Sequence, residues 1–250
     1  MTNPKFSKTS DSGRYYDIPG YEGTTFYSVT TALNAISKPA LVPWAAKQVA
    51  ERAMDNADMF MPVMTKTAAK ELLAFLKAAP SEYTKAAQER GTAVHKACEE
   101  YSYGDEIPDT EIGRYVAAYA DFLFNEGADI LAKEMTVFNP DNSYAGTLDA
   151  IVNMGGKNYV MDIKTGGVYP SASLQMAAYA SATHYVDGAG RTHRQETPID
   201  GAFVLELKPN KYKIHYMDVS EDQLDVFLAA LQLSIWNNED SRHVIGEQFK

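Results

Sequence analysis

Three side chains in the second half of the sequence have types and spacing that could support chemistry together. Asp149 lies in one strand-like segment, and Asp162 and Lys164 lie in the next. Successive side chains of a strand point to opposite faces, so Asp162 and Lys164 share a face. Gly155-Gly156 between the segments favours a hairpin that brings Asp149 beside them. Two carboxylates at such close range favour a cation between them, and hard oxygen ligands suit Mg²⁺ or Mn²⁺.

These residue types are suited to phosphodiester hydrolysis. The reaction needs an activated water and relief of the negative charge that builds on the phosphoryl group, and a bound metal ion supplies both. Lys164 could hold the attacking water or a phosphate oxygen as a point charge. Both segments are apolar around these residues, and a charge in a central strand is costly unless it is paired or metal-bound. We therefore interpret Asp149, Asp162 and Lys164 as a functional site rather than a solvated strand face.

The helices and strands that must position these residues can be predicted from the hydrophobic periodicity of the sequence, which changes along the chain from helical to strand-like. Helical patterns come first, and the periodicity predicts helices over 28–37, 43–55, 65–78, 80–103 and 111–125, with a break at Lys38-Pro39 and a new start at Pro80-Ser81. Strand patterns follow over 130–138, 144–154, 158–164, 201–207 and 212–218, with helices over 171–186 and 220–236. The last helix is predicted to open with a capping box at Ser220 and Gln223.

This order of elements predicts an α/β fold with a mixed central β-sheet flanked by helices, together with an N-terminal helical lobe. The 250 residues suffice for one sizeable core. We expect a single domain over 1–250, with the lobe over 1–80 and the core over 81–250. Residues 1–27 are expected to be extended or irregular.

Five motifs in order resemble the PD-(D/E)xK nuclease superfamily, in particular its RecB-like and phage-type exonuclease branch. They are Gly91-x-x-x-His95, Glu134, Gly146-x-x-Asp149, Asp162-Ile163-Lys164-Thr165-Gly166 and Gln175-x-x-x-Tyr179. The resemblance spans residues 90–180, and the stretch 28–51 is similar to the lead-in helices of phage members. It implies a restriction-endonuclease-like core.

The resemblance also implies a role for each matched residue around one or two Mg²⁺ or Mn²⁺ ions. The implied catalytic residues are Lys164, Asp149, Asp162 and Glu134, and the implied metal ligands are His95, Asp149, Asp162 and the Ile163 carbonyl. Gln175 and Tyr179 would support the site or contact DNA. Arg90, which precedes the first motif, could hold a phosphate.

The charge of the chain limits how it could contact DNA. Net charge is −10, and the excess is confined to residues 101–250, which hold 11 Lys/Arg against 22 Asp/Glu, whereas residues 1–100 hold 12 against 11. A broad basic surface is therefore excluded. Bound divalent cations would offset part of the acidity. We expect DNA to be contacted locally, through the N-terminal lobe and the metal ions.

Cysteine content and hydropathy limit the cellular compartments in which the protein is expected. The single cysteine, Cys98, excludes an internal disulfide and a cysteine-only zinc or iron–sulfur site. No apolar run is long enough to span a membrane, and the N-terminus lacks the apolar region of a secretory signal. We expect a cytoplasmic protein, in the host cytoplasm if it is viral, with no membrane partner.

The predicted function is that of a metal-dependent DNA exonuclease, of a phage-type recombination or DNA-processing kind. Three alternatives stay open: a structure-specific or sequence-specific endonuclease on the same core, a catalytically inactive DNA-binding or assembly module, and an enzyme acting on a small phosphate ester. DNA is the expected partner. The resemblance leaves open a homo-oligomer and a single-strand annealing or recombination partner protein.

Overall fold

The computed structural model describes residues 5–10, 13–60 and 66–246. The chain forms two compact units, one of Met1–Ile36 with Val94–Lys250 and the other of Ser37–Ala93. We call them the sheet unit and the helical unit. This division differs from the expected 1–80 lobe, because residues up to Ile36 belong with the β-sheet: Tyr27 pairs with Tyr144 of the central strand.

The described part of the sheet unit holds ten strands in one mixed, mostly antiparallel sheet. The strands are β1 Ser7–Ser10, β2 Gly13–Tyr16, β3 Phe26–Ser28, β4 Asp129–Asn139, β5 Tyr144–Met154, β6 Lys157–Lys164, β7 His184–Val186, β8 Thr192–Arg194, β9 Gly201–Lys208 and β10 Lys211–Met217. The parallel pairs are β3 with β5 and β6 with β9, and the other pairs are antiparallel.

Six α-helices accompany the sheet in the described residues. They are α1 Val29–Ala32, α2 Leu41–Asp55, α3 Lys66–Tyr101, α4 Glu111–Asn125, α5 Ser171–Ala180 and α6 Glu221–Asn238. Short 3-10 turns lie at Leu33–Ala35, Ala57–Phe60 and Asp240–His243. The helical unit contains α2 and most of α3, whereas the last turns of α3, from Val94, belong to the sheet unit. None of the described helices combines the length and the hydropathy needed to cross a lipid bilayer.

The long strand β5 determines where the sheet opens. Strand β4 pairs along one edge of β5, but the opposite edge is shared. There β3 pairs with Tyr144 and Ala145, and β6 begins only at Ala150, which pairs with Met161. Residues 146–149 lie between these two partners, and we call this segment the fork.

Helices cover both faces of the sheet and bury its apolar side chains. One cluster joins Ile151 of β5 to residues of α5 and α6, including Leu174 and Phe227. The other joins Val152 of β5 to α3 and α4, including Phe122. Each large apolar side chain buried in this way stabilises the fold by about 1.5–3 kcal/mol. The helices are therefore held firmly against the strands that carry the candidate site.

The expected α/β class with a mixed sheet flanked by helices is confirmed, but several element boundaries differ. The helix expected over 171–186 ends at Ala180, and His184–Val186 forms β7 because the edge of β4 offers it backbone partners. Pro80 lies inside α3 and does not end it. Alanine on both sides of Pro80 and leucine before it are strong helix formers, and they offset the cost of about 3 kcal/mol that a proline imposes.

The two terminal expectations had different outcomes. The extended structure expected before residue 28 is present as β1, β2 and β3, which join the sheet. Ser220 is the N-cap of α6, yet its side chain makes no capping hydrogen bond. Instead, the Ser220 N–H donates to Oδ1 of Asp218 at 2.9 Å, so an aspartate two residues earlier orders this turn.

Candidate metal centre

His95 is presented to the sheet by the last turns of α3. Its neighbours Val94 and Cys98 are buried in the core, and they fix the face of the helix that carries the imidazole. His95 Nε2 lies 2.8 Å from the carbonyl oxygen of Ile163, and Nδ1 lies 3.4 Å from Oδ2 of Asp149. The imidazole therefore bridges two residues that belong to different strands.

Asp149 lies at the end of the fork, where the pairing of β5 with β6 has stopped. Its Oδ2 accepts the N–H of Ile163 at 2.7 Å. A buried backbone N–H needs a partner, and here the carboxylate takes the place of a strand carbonyl. The aspartate is thereby fixed beside the Ile163 backbone and beside His95.

Glu134 reaches the same place from β4. The register pairs Lys133 with Ala150 and Met135 with Leu148, which sets Glu134 opposite Asp149. Its φ of +46° is left-handed, a conformation that costs a non-glycine residue about 1–3 kcal/mol and that is enriched at functional sites. Metal-binding atoms of His95, Glu134 and Asp149 all lie within 4.8 Å of one another.

Asp162 and Lys164 form a buried pair next to this group. Asp162 is 4% exposed, and its Oδ2 lies 2.7 Å from Nζ of Lys164. Its other oxygen, Oδ1, accepts a hydrogen bond from Nε2 of Gln175 at 3.1 Å. Both carboxylate oxygens thus have protein partners, and Asp162 is not among the three residues whose donor atoms cluster.

Gln175 and Tyr179 lie one turn apart on α5 and support Asp162 from behind. Gln175 Nε2 is 3.4 Å from the hydroxyl of Tyr179, which is itself buried. The Tyr179 ring packs on the backbone of Gly146, where an added Cβ would lie 2.5 Å from Cε1. The Gly146-x-x-Asp149 and Gln175-x-x-x-Tyr179 patterns therefore meet in one contact.

Two metal-binding side chains of the cluster, His95 and Glu134, have raised pKa values. Burial opposes protonation of His95, but the charge and hydrogen bond of Asp149 and the charge of Asp162 raise its pKa to about 9. Desolvation, together with the charges of Asp149 and Glu99, raises the pKa of Glu134 to about 7. Without a cation, both groups thus retain protons near neutral pH.

Burial and neighbouring charges together set the pKa shifts of Asp149, Asp162 and Lys164. Burial disfavours the Asp149 carboxylate, but His95, Lys164 and the Ile163 N–H together lower its pKa. Burial also disfavours the Lys164 ammonium, but the charges of Asp162 and Asp149 raise its pKa. Lys164 is therefore held as a cation. The pKa of Asp162 is raised by its burial and by the Asp149 charge, with Lys164 opposing.

Most of the residues expected from the sequence lie together in the sheet unit. His95, Glu134, Asp149 and the Ile163 carbonyl converge, and Asp162, Lys164, Gln175 and Tyr179 adjoin them. Arg90 belongs to the helical unit.

Sequence reasoning missed other residues of the pocket that holds the metal-binding atoms. These are Cys98, Glu99, Ser102, Tyr119 and Lys133. The available signal was a lysine directly before Glu134, in a half of the chain that has few cations.

Comparison with protein-family models and with curated protein sequences gives no match. Among solved structures, the chain resembles the crystal structure of SSO0001, with a TM-score of 0.30 and 15% sequence identity. The matched part covers 58% of this chain and 74% of SSO0001. A likeness of this extent carries no argument about function.

Proposed function

We propose that the chain is a metal-dependent deoxyribonuclease, an exonuclease of the RecB-like and phage-type branch of the PD-(D/E)xK superfamily, with a restriction-endonuclease-like core. One observation carries the proposal. Three separated motif residues, His95, Glu134 and Asp149, bring metal-binding atoms within 4.8 Å of one another, beside a buried Asp162–Lys164 pair.

The donor set fits a divalent cation that accepts both oxygen and imidazole ligands. Two carboxylates, one imidazole and the Ile163 carbonyl are available, and such a mixture suits Mn²⁺ well, with Mg²⁺ as the harder alternative. The positive φ of Glu134 supports the same reading, because strain of this kind is retained where a side chain must be aimed. A bound cation would supply Lewis-acid stabilisation and a more acidic water.

The chain's own residues then have separable roles. Lys164 is held as a cation and can place a positive charge beside the phosphoryl oxygens, where charge increases during the reaction. Asp162 fixes the Lys164 ammonium, and Gln175 fixes the Asp162 carboxylate. Asp149 orients the imidazole of His95 and binds the Ile163 N–H, which holds the two strands in place around the reacting group.

The test is cleavage of end-labelled linear DNA with Mn²⁺ or Mg²⁺. Wild-type protein is expected to cleave, EDTA to stop cleavage, and added Mn²⁺ to restore it. Asp149→Asn and Lys164→Ala are each expected to lower the rate by about 100-fold or more, since each removes a charge at the reacting group. Thermal unfolding should show that both variants fold.

Matched control variants are available on the same strands. These are Lys157→Ala and Asp129→Asn. Lys157 lies at the end of β6 opposite Lys164, and Asp129 lies at the exposed start of β4. Both should retain wild-type activity. Activity that persists in EDTA, or full activity in Asp149→Asn, would contradict the proposal.

The mode of cutting is read from the substrate. An exonuclease degrades linear DNA and leaves closed circular DNA intact, whereas an endonuclease cuts both. Hydrolysis of small phosphate esters without cleavage of DNA would instead favour a phosphoesterase, and binding without any cleavage would favour an inactive DNA-binding module.

A further inference from the structure

An exposed tyrosine stands at the rim of the candidate metal centre. Ser102 and Lys133 line the pocket that also contains His95, Glu134 and Asp149. Tyr103 follows Ser102, and its ring centroid lies 3.3 Å from Nζ of Lys133. The Tyr103 ring therefore lies next to the pocket, in contact with Lys133, which lines it.

The position of Tyr103 is fixed although its side chain is open to solvent. Lys133 Nζ donates to the carbonyl of Ser102 at 3.2 Å and lies 2.8 Å from the Ser102 hydroxyl, so the ammonium beneath the ring is tied down. The Tyr103 N–H donates to the carbonyl of Glu100 at 2.9 Å. Tyr103 is nevertheless 72% exposed, so the face of the ring away from Lys133 is accessible.

The segment that follows Tyr103 is acidic and supplies no cation for a phosphate. The following residues, 104–109, carry the carboxylates of Asp105, Glu106 and Asp109 and no lysine or arginine. The ammonium of Lys133 lies on one side of the ring and is already bound by Ser102, and stacking on the other face does not require a cation. A nucleobase is therefore the part of a nucleotide that this rim can hold.

We propose that Tyr103, held by Lys133, is a stacking platform for an unpaired nucleobase whose own phosphate lies in the pocket. This inference rests on the proposed function and adds the state of the substrate strand to it. A base inside a duplex has both faces occupied by its neighbours. Only the outer face of a terminal base pair is free in a blunt duplex, whereas an unpaired end base can turn either face to the Tyr103 ring, so unpaired ends should be preferred over blunt ends.

The direct test uses a single-stranded oligonucleotide with 2-aminopurine at its terminal position, bound with Ca²⁺ in place of the cleaving metal. Stacking quenches this fluorescent base. Wild-type protein and Tyr103→Phe are expected to quench it, whereas Tyr103→Ala should lose the quenching and bind about 5- to 100-fold more weakly, the range found when a stacking aromatic is removed. Lys133→Met should bind more weakly than wild type and quench less.

Tyr216→Ala is the matched control, because Tyr216 is similarly exposed but lies on β10 outside the pocket. It should quench as wild type does. Cleavage by wild-type protein, combined with unchanged quenching and affinity in Tyr103→Ala, would overturn the stacking inference and leave the nuclease proposal standing. Failure of wild-type protein to cleave or bind any DNA would overturn both.

Discussion

Protons and a cation compete for the same side chains at the candidate metal centre. Burial lowers the pKa of His95, but the charge and hydrogen bond of Asp149 outweigh it and raise this pKa to about 9, whereas desolvation and the charge of Asp149 together raise the pKa of Glu134 to about 7. A metal ion binds the deprotonated forms of these ligands. Binding must therefore expel protons, and the number expelled depends on pH.

We expect the apparent affinity for Mn²⁺ to rise with pH. At about pH 6 both groups are protonated in the metal-free protein, so metal binding should release about two protons. At about pH 8 only His95 retains its proton, so metal binding should release about one. Calorimetric titrations in two buffers of different ionisation enthalpy measure this number.

Glu134→Gln provides the internal check on this proton count. It removes one titrating group, so the release near about pH 6 should fall to about one proton. An affinity and a proton count that are the same at both pH values would contradict the assignment of His95 and Glu134 as ligands.

At the residue scale, the sequence predicts which side chains lie together but not which of them pair with one another and which remain available to a metal ion. Alternation along β6 correctly sets Asp162 and Lys164 on one face. It could not show that Asp162 is occupied by Lys164 and Gln175, since the latter contact depends on how α5 packs. The left-handed Glu134 was equally inaccessible, because ordinary strand periodicity assumes extended backbone at every position.

At the element scale, the close contact between β5 and α5 depends on one missing side chain. Gly146 lies at the start of the fork, and the Tyr179 ring fills the space that a Cβ would need. The same tyrosine approaches Gln175, which binds Asp162. A substitution at Gly146 would therefore displace the Tyr179 ring and, through Gln175, disturb the Asp162–Lys164 pair without contacting it directly.

We expect Gly146→Ala to destabilise the protein by about 1–3 kcal/mol, the range for overpacking a core contact, and to lower any Mn²⁺-dependent cleavage. Denaturant unfolding measures the first effect. In a Tyr179→Leu background the ring is gone, so the added methyl should cost much less. Equal costs in both backgrounds would show that the ring contact is not the cause.

Element boundaries show the same division between local and distant causes. The bounds of α4 and β5 are predicted correctly because the periodicity there is a property of neighbouring residues. The end of α5 at Ala180 is not, because alanine-rich sequence favours continued helix while the free edge of β4 selects a strand at His184–Val186. Local propensity gives way where a distant backbone offers hydrogen bonds.

At the scale of the whole molecule, the two units differ in how deeply their helices are buried. Helices α2 and α4 each have 15 residues, which makes them a matched pair. In α4 six residues are buried, among them Val116 and Phe122, whereas α2 has none. Segments with few buried apolar contacts open at lower free energy.

We expect amide hydrogens of α2 to exchange about 100-fold or more faster than those of α4, because α2 can open without unfolding a core. Hydrogen exchange followed by mass spectrometry resolves the two peptides. Strand β5, at the centre of the sheet unit, should be slowest. Protection of α2 equal to that of α4 would show that the helical unit is stabilised by contacts other than its own burial.

The fork also has a consequence for the order in which the chain can fold as it leaves the ribosome. Strand β3 is translated before the strand it pairs with, because Tyr144 follows Tyr27 by more than one hundred residues. The whole helical unit is synthesised in between. Until β5 arrives, Phe26 and Val29 have no core to enter, so the nascent chain must carry an unpaired apolar edge while more than one hundred further residues are translated.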